Sequence, residues 1–199
     1  LSFSMSCQKK LESKEALYEY LSDSSNGLVK ERDLGVLKVK IKYLPKEYII
    51  YNELKTKKGY TKQDLDSLNK IYSGMETFLM TLDFKKAPSD NNVLMDGLTS
   101  YEAYKDRIEK LNFTLDEYIF MNQDTPQEQA LLLWSLENTY TVGTKRNITL
   151  VFAKDSSKKS DEYNISFKDD IFYSGISHYR FNKKDINKFP GVTILDKAL

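Results

Sequence analysis

The stretch that decides the fold is Leu37-Lys38-Val39-Lys40-Ile41-Lys42-Tyr43. Apolar residues alternate strictly with lysines. A period of two places Leu37, Val39, Ile41 and Tyr43 on one side of an extended chain and the three lysines on the other. This predicts a strand with one dry and one wet face, as in an antiparallel sheet packed on one side. Pro45 cannot donate to a ladder and ends the strand. Residues 46–55 are read as a short helix or a loop.

Further along, Thr61 has the chemistry of an N-cap, with Asp64 three residues on and Tyr60 and Leu65 placed as a hydrophobic staple. The spacing predicts a helix with Leu65, Leu68, Ile71 and Tyr72 on one face and Gly74 as its C-terminal cap. Phe78, Met80, Leu82 and Phe84 repeat the alternation, giving a second strand. Thr99-Ser100-Tyr101-Glu102 opens another helix, whose buried face is expected to carry Tyr101, Tyr104 and Ile108. Residues 113–121 are strand-like, although Thr114 and Glu117 also suit a helix start. Thr125-Pro126-Gln127-Glu128 reads as a helix start with proline at the first position. Residues 130–136, Ala-Leu-Leu-Leu-Trp-Ser-Leu, are apolar on every side, and periodicity alone does not separate a buried strand from a helix there. The last third is β-rich, with short runs at 148–153, 163–167, 172–181 and 192–195. The fold class is therefore α+β, mainly antiparallel β, with sandwich-like sheets and two to four short helices.

The chain has 199 residues, of which 40% are hydrophobic and 30% charged. That suffices for one cored domain. Residues 1–30 are read as an N-terminal arm, and 31–199 as the single globular domain. Within the arm, Leu11, Leu17, Tyr18 and Leu21 share a helical face, and Ser22-Asp23-Ser24-Ser25-Asn26-Gly27 ends it.

The net charge of +1 argues against a polyanion partner such as nucleic acid. One cysteine and one histidine exclude an internal disulfide and multi-cysteine or multi-histidine metal centres. No cofactor is implied. Gly143-Thr144-Lys145 lacks the upstream glycine of a phosphate loop, and no G-x-G-x-x-G occurs. Residues 90–97 carry oxygen ligands but place Met95 where a calcium loop needs glycine. A serine triad would have to use His178, with Ser174 and Ser177 adjacent in sequence only. Pairs such as Asp169-Asp170 and Asp116-Glu117 are the carboxylates available for acid–base work. None has a distinctive setting, and the sequence leans away from an enzyme. The three sequons at Asn112, Asn147 and Asn164 add little.

Charge is unevenly placed. Residues 38–62 hold eight basic and two acidic side chains, whereas 83–137 hold eleven acidic and five basic. Lys38, Lys40 and Lys42, with Tyr48 nearby, form a candidate interaction surface able to steer a partner. The same lysines equally suit an edge strand guarded against aggregation.

The N-terminus reads Leu1-Ser2-Phe3-Ser4-Met5-Ser6-Cys7-Gln8-Lys9-Lys10. A short apolar and small-residue run before the only cysteine resembles the end of a bacterial lipoprotein signal, which makes Cys7 the candidate lipidation site. Ser6 fits that pattern, whereas Ser4 stands where an aliphatic residue is usual. With Tyr43-Leu44-Pro45-Lys46-Glu47-Tyr48 and Ile148-Thr149-Leu150-Val151-Phe152, the chain resembles small cell-envelope lipoproteins of Bacteroidota. The resemblance implies an acylated cysteine and a domain held at a membrane surface. Gln8-Lys9-Lys10 replace the acidic residues that follow the cysteine in surface-exported members. That favours the outer membrane facing the periplasm, with the cell surface as the alternative. The expected function is a non-catalytic, protein-binding accessory subunit of an envelope assembly. The alternatives are a carbohydrate-binding or carbohydrate-cleaving surface protein, with tyrosines lining a groove, and a soluble interaction domain without a membrane link.

Overall fold

Two antiparallel sheets enclose one core in the computed structural model of the chain. The structure describes residues 10–35, 37–57, 59–85, 93–122, 129–137, 143–154 and 160–193. Among these, the helices are α1 (Lys14–Ser22), α2 (Lys46–Leu54), α3 (Lys62–Tyr72), α4 (Tyr101–Phe113) and α5 (Lys183–Asn187). The strands are β1 (Val29–Asp33), β2 (Leu37–Leu44), β3 (Met75–Phe84), β4 (Ile119–Asn122), β5 (Gln129–Ala130), β6 (Leu133–Leu136), β7 (Lys145–Ala153), β8 (Glu162–Asp169) and β9 (Gly175–Asn182). One sheet has the order β1-β2-β3-β7-β6 and the other β5-β4-β8-β9. The α+β class with mainly antiparallel strands is thus the observed one, with five helices rather than two to four.

Register follows the alternation. Val39 pairs with Leu82, Ile41 with Met80 and Tyr43 with Phe78, so the apolar faces of β2 and β3 coincide. Phe78 and Met80 continue onto Leu150 and Ile148 of β7. A slip of one residue would turn every lysine of β2 inward. The facing sheet contributes Ile119, Met121, Tyr163, Ile165, Phe167, Tyr179 and Phe181, all buried in the same cluster. Phe78 joins the layers: its ring centroid lies 5.2 Å from Phe181 and 6.3 Å from Tyr163, with Tyr43 at 5.3 Å and Phe152 at 6.0 Å. Aromatic pairs of this kind, edge-on to Tyr43, Phe152 and Tyr163 and tilted to Phe181, contribute about 0.5–1.5 kcal/mol each beyond area burial.

The apolar run 130–136 turns out to connect the sheets. β5 pairs with β4, Leu131 is buried, the Leu132 amide donates to the Val151 carbonyl at 2.8 Å, and β6 then pairs with β7.

Four local expectations change. First, the region read as an arm is part of the domain from Leu11 onward. Leu17, Leu21 and Leu28 are buried in the main core, and Leu11 pairs with the C-terminal segment through Gly191 and Thr193. A single apolar stripe on α1 is enough to dock it, which polarity averaged over the segment conceals. Second, α4 exposes Tyr101 and buries Arg107 and Leu111, because its buried stripe starts one turn later, at Tyr104. Third, α3 has its capping box at Thr61 and Asp64 but ends on Ser73, and Gly74 takes no left-handed conformation. Fourth, residues 172–174 form a turn, so the last long strand begins at Gly175. The proposed helix start at 125–128 lies outside the described residues.

Candidate interaction surface

Lys38, Lys40 and Lys42 project from the outer face of β2, as the alternation requires, and β1 covers that edge of β2. Register places Lys40 opposite Glu31 and Lys38 opposite Asp33. The ammonium of Lys40 lies 3.2 Å from the Glu31 carboxylate and that of Lys38 lies 3.8 Å from it. β2 is therefore an inner strand, so guarding an edge is not what its lysines do. Lys42 is half-buried, and burial first, then the neighbouring Lys40 charge, lowers its ammonium from the usual value. Beyond β2 the polar rows continue. Asp83 meets Lys145 at 3.5 Å, the Thr81 hydroxyl donates to Asn147 at 2.8 Å, and Asn147 donates to Glu137 at 2.7 Å. Exposed pairs like these contribute roughly 0–1 kcal/mol each, and they balance the lysine charge locally.

Tyr48 does not join this row. It sits on α2, half-buried, its ring edge-on to Tyr18 at 5.8 Å. Tyr51 and Tyr60 pack with Leu65, Leu68 and Tyr72 around Ile50 and Leu54. Tyr43 and Tyr163 are buried. Tyr43, Tyr48, Tyr51 and Tyr60, the tyrosines interleaved with the basic residues of 38–62, therefore pack against protein, and burial comes first among the causes that raise the Tyr48 hydroxyl above its usual pKa.

Two of those tyrosines hold a buried acid. Glu76, 2% exposed, accepts hydrogen bonds from the hydroxyl of Tyr43 at 2.9 Å and that of Tyr163 at 2.6 Å, with the Lys154 ammonium at 3.4 Å. Lys183 stands 4.6 Å from the Tyr163 ring centroid. Burial, with the Glu76 charge and hydrogen bond, raises both hydroxyls far above their ordinary value. The cluster ties β2, β3 and β8 together at one end of the sandwich, and both carboxylate oxygens have partners.

The histidine is a cross-strand neighbour of Ser166, whose hydroxyl lies 3.0 Å from Nδ1 of His178. Ser166 is buried, and Ser174 and Ser177, the serines near His178 in sequence, bond instead to Asp169 and Tyr179. Asp169 is likewise occupied, accepting from the backbone amides of Ile171, Phe172 and Ser174. The hydroxyl that lies beside the exposed imidazole thus belongs to a serine that is itself buried, 2% exposed.

The residues that stand out on the surface are ones the sequence reading did not select. β6 ends the five-stranded sheet, and its sequence Leu-Trp-Ser-Leu carries no charge. Trp134 turns inward and donates from its indole to the Leu111 carbonyl at 3.0 Å. Leu132 and Leu133 are 58% and 61% exposed. The signal was present in the uncharged run 130–136, but an apolar run does not announce that half of it faces water. Among the described residues no helix is long and apolar enough to cross a membrane, and no three metal-ligating side chains converge. Cys7 lies outside the described residues. No protein-family model, curated protein or solved structure matches the chain.

Proposed function

We propose that the protein is a non-catalytic, lipid-anchored subunit of the bacterial cell envelope that holds a protein partner along β6. The observation that carries this reading is the uncharged terminal strand, with Leu133 in it and Leu132 just before it both exposed. A strand at a sheet edge offers backbone donors and acceptors to an incoming extended segment, and apolar side chains beside it add affinity. The lysine rows at the other end of the same sheet are paired with acids, so they suit orientation of a partner more than its capture.

The anchor in this reading is Cys7, on the resemblance of residues 1–10 to a lipoprotein signal. Leu11 is fixed to the domain, and the four residues from Cys7 to Leu11 span at most about 14 Å when extended. An anchor at Cys7 then seats the domain close to the bilayer, on the periplasmic face of the outer membrane.

Two measurements test the proposal. The intact mass of the protein from its native host is expected to match a chain that starts at Cys7 with added acyl groups, and an unmodified cysteine overturns the anchor. A photo-crosslinker at Ser135 is expected to capture one discrete partner in the native envelope, and the double variant Leu132→Asp/Leu133→Asp to abolish that product. A crosslinker at Lys40 with the same yield, insensitive to the double variant, overturns the assignment to β6.

A further inference from the structure

At the opposite end of the sandwich from Glu76 lies a second buried charge. Arg107, on α4, is 5% exposed. Its Nη1 donates to the carbonyls of Leu94 and Asp96, each at 2.9 Å. The guanidinium carbon stands 4.9 Å from the Phe172 ring centroid. Its Nε is buried and has no hydrogen-bond partner, and among the described residues no carboxylate lies within ion-pair distance. Asp169, the buried acid in its neighbourhood, has its oxygens engaged by the turn through Ile171, Phe172 and Ser174. An isolated charge in such a setting is costly unless something pairs with it.

The same guanidinium lines a cleft of about 140 Å³, whose walls include Phe84, Leu98 and Phe172, with Asp96 at the rim. Tyr173 also lines the cleft. It is 79% exposed and holds a left-handed backbone, φ 58°, although it is not glycine. That conformation is strained for a residue with a side chain and is held in place by the Asp169 turn.

We propose that this cleft binds a small carboxylate, with Arg107 presenting Nη2 to it. With Nη1 engaged by two carbonyls and Nε shut off by burial, the two hydrogens of Nη2 are the donors left for a carboxylate. One positive charge neutralises one monoanion. A phosphate dianion would leave charge and oxygens unpaired beside Phe84 and Phe172. At about 30 Å³ per water-sized group, the cleft holds four or five non-hydrogen atoms, the size of acetate or propionate. The apolar walls suit the short stem. A free acid and the C-terminus of a peptide present the same chemistry.

The test is a titration of the full chain with propionate, followed through the Arg107 Nε–H resonance in an arginine-selective spectrum. Saturable displacement with a Kd of about 1 mM or tighter is expected, with less than a tenth of that displacement from propionamide at equal concentration. Arg107→Lys, checked for folding by circular dichroism and read by backbone amide shifts, is expected to weaken binding at least tenfold. Leu98→Trp, which leaves the arginine in place and fills the mouth, should do the same if Arg107→Lys does not fold. Asp96→Asn, which removes a like charge from the rim, is expected to tighten binding two- to threefold. An acetylated tripeptide with a free C-terminus that binds tighter than propionate, while its amide does not bind, assigns the carboxylate to a chain end. The reverse order assigns it to a free acid. Equal displacement by propionate and propionamide, tighter binding of inorganic phosphate, or unchanged affinity in both Arg107→Lys and Leu98→Trp overturns the proposal.

Discussion

Strand β3 has a buried charge near each end, and the two are treated in opposite ways. At its start, Glu76 is held by two tyrosine hydroxyls and an ammonium, so every oxygen has a partner. Near its finish, Phe84 lines a cleft where Arg107 keeps a donor without one. The first arrangement locks three strands together. The second leaves unsatisfied bonding capacity beside a small opening. A buried polar group with all partners in place rigidifies a fold, and one with a missing partner is either a defect or a site.

The largest effect is therefore expected at Glu76. Glu76→Ala leaves two buried hydroxyls without an acceptor and should lower folding stability by about 3 kcal/mol, or about 6–12 °C in Tm. Urea denaturation with an unchanged slope checks it. Glu76→Gln keeps one acceptor oxygen and should cost less than half as much. An alanine variant within about 1 kcal/mol of the parent would mean that the network is not what seals this end.

Alkaline pH probes the same cluster without mutation. The Tyr43 and Tyr163 hydroxyls are raised above their ordinary value by burial and by Glu76, and burial pushes Tyr179 up to about 12. A group whose folded pKa is raised contributes stability that is fully present below its unfolded pKa, about 10 for tyrosine, and is lost as pH rises through the folded value. Stability should thus fall progressively above about pH 10. A fraction of the tyrosines should ionise only as the chain unfolds, seen as a delayed rise in tyrosinate absorbance. Complete, prompt ionisation of all tyrosines in the folded protein would remove the sealed end from the comparison.

Arg107→Met should cost less than Glu76→Ala, about 1–2 kcal/mol. The variant loses two hydrogen bonds to carbonyls, and it also relieves the desolvation of a charge that makes no ion pair among the described residues. Denaturation of both variants under one condition decides the matter. If the arginine variant proves the more damaging, Arg107 is a structural strut and the distinction between the two ends collapses.

How much of this was legible in the sequence depends on the range of the interactions. Alternation in 37–43 and 78–84 set the paired core strands, because the period of a strand is local. The Thr61–Asp64 box was local too, and it is present. Sheet order, the entry of α1 into the core and the switch of 130–136 between sheets depend on contacts far apart in sequence, which no local pattern carries. Of the candidate interaction residues, the lysines fell on one face as their spacing required. Tyr48 did not join them, because its contact with Tyr18 is set by where α1 docks. Arg107 and Glu76 were invisible for the same reason. A charged residue in a polar helix or at a strand start looks solvated until the fold closes around it.

The two edges of the five-stranded sheet give the smallest expected effect on stability and the sharpest functional reading. β1 reads Val-Lys-Glu-Arg-Asp, and charges of this kind block edge-to-edge pairing. β6 reads Leu-Trp-Ser-Leu and has none. If β6 were only an unprotected edge, adding a charge would improve solubility and alter nothing else. If it is a docking edge, the same charge should remove the partner. Leu133→Lys is expected to change folding stability by no more than about 0.5 kcal/mol, since the side chain already faces water. It should also abolish crosslinking from Ser135. Loss of the partner at unchanged stability separates recognition from folding. A partner retained by Leu133→Lys would move the search from the uncharged edge to the lysine rows of β2.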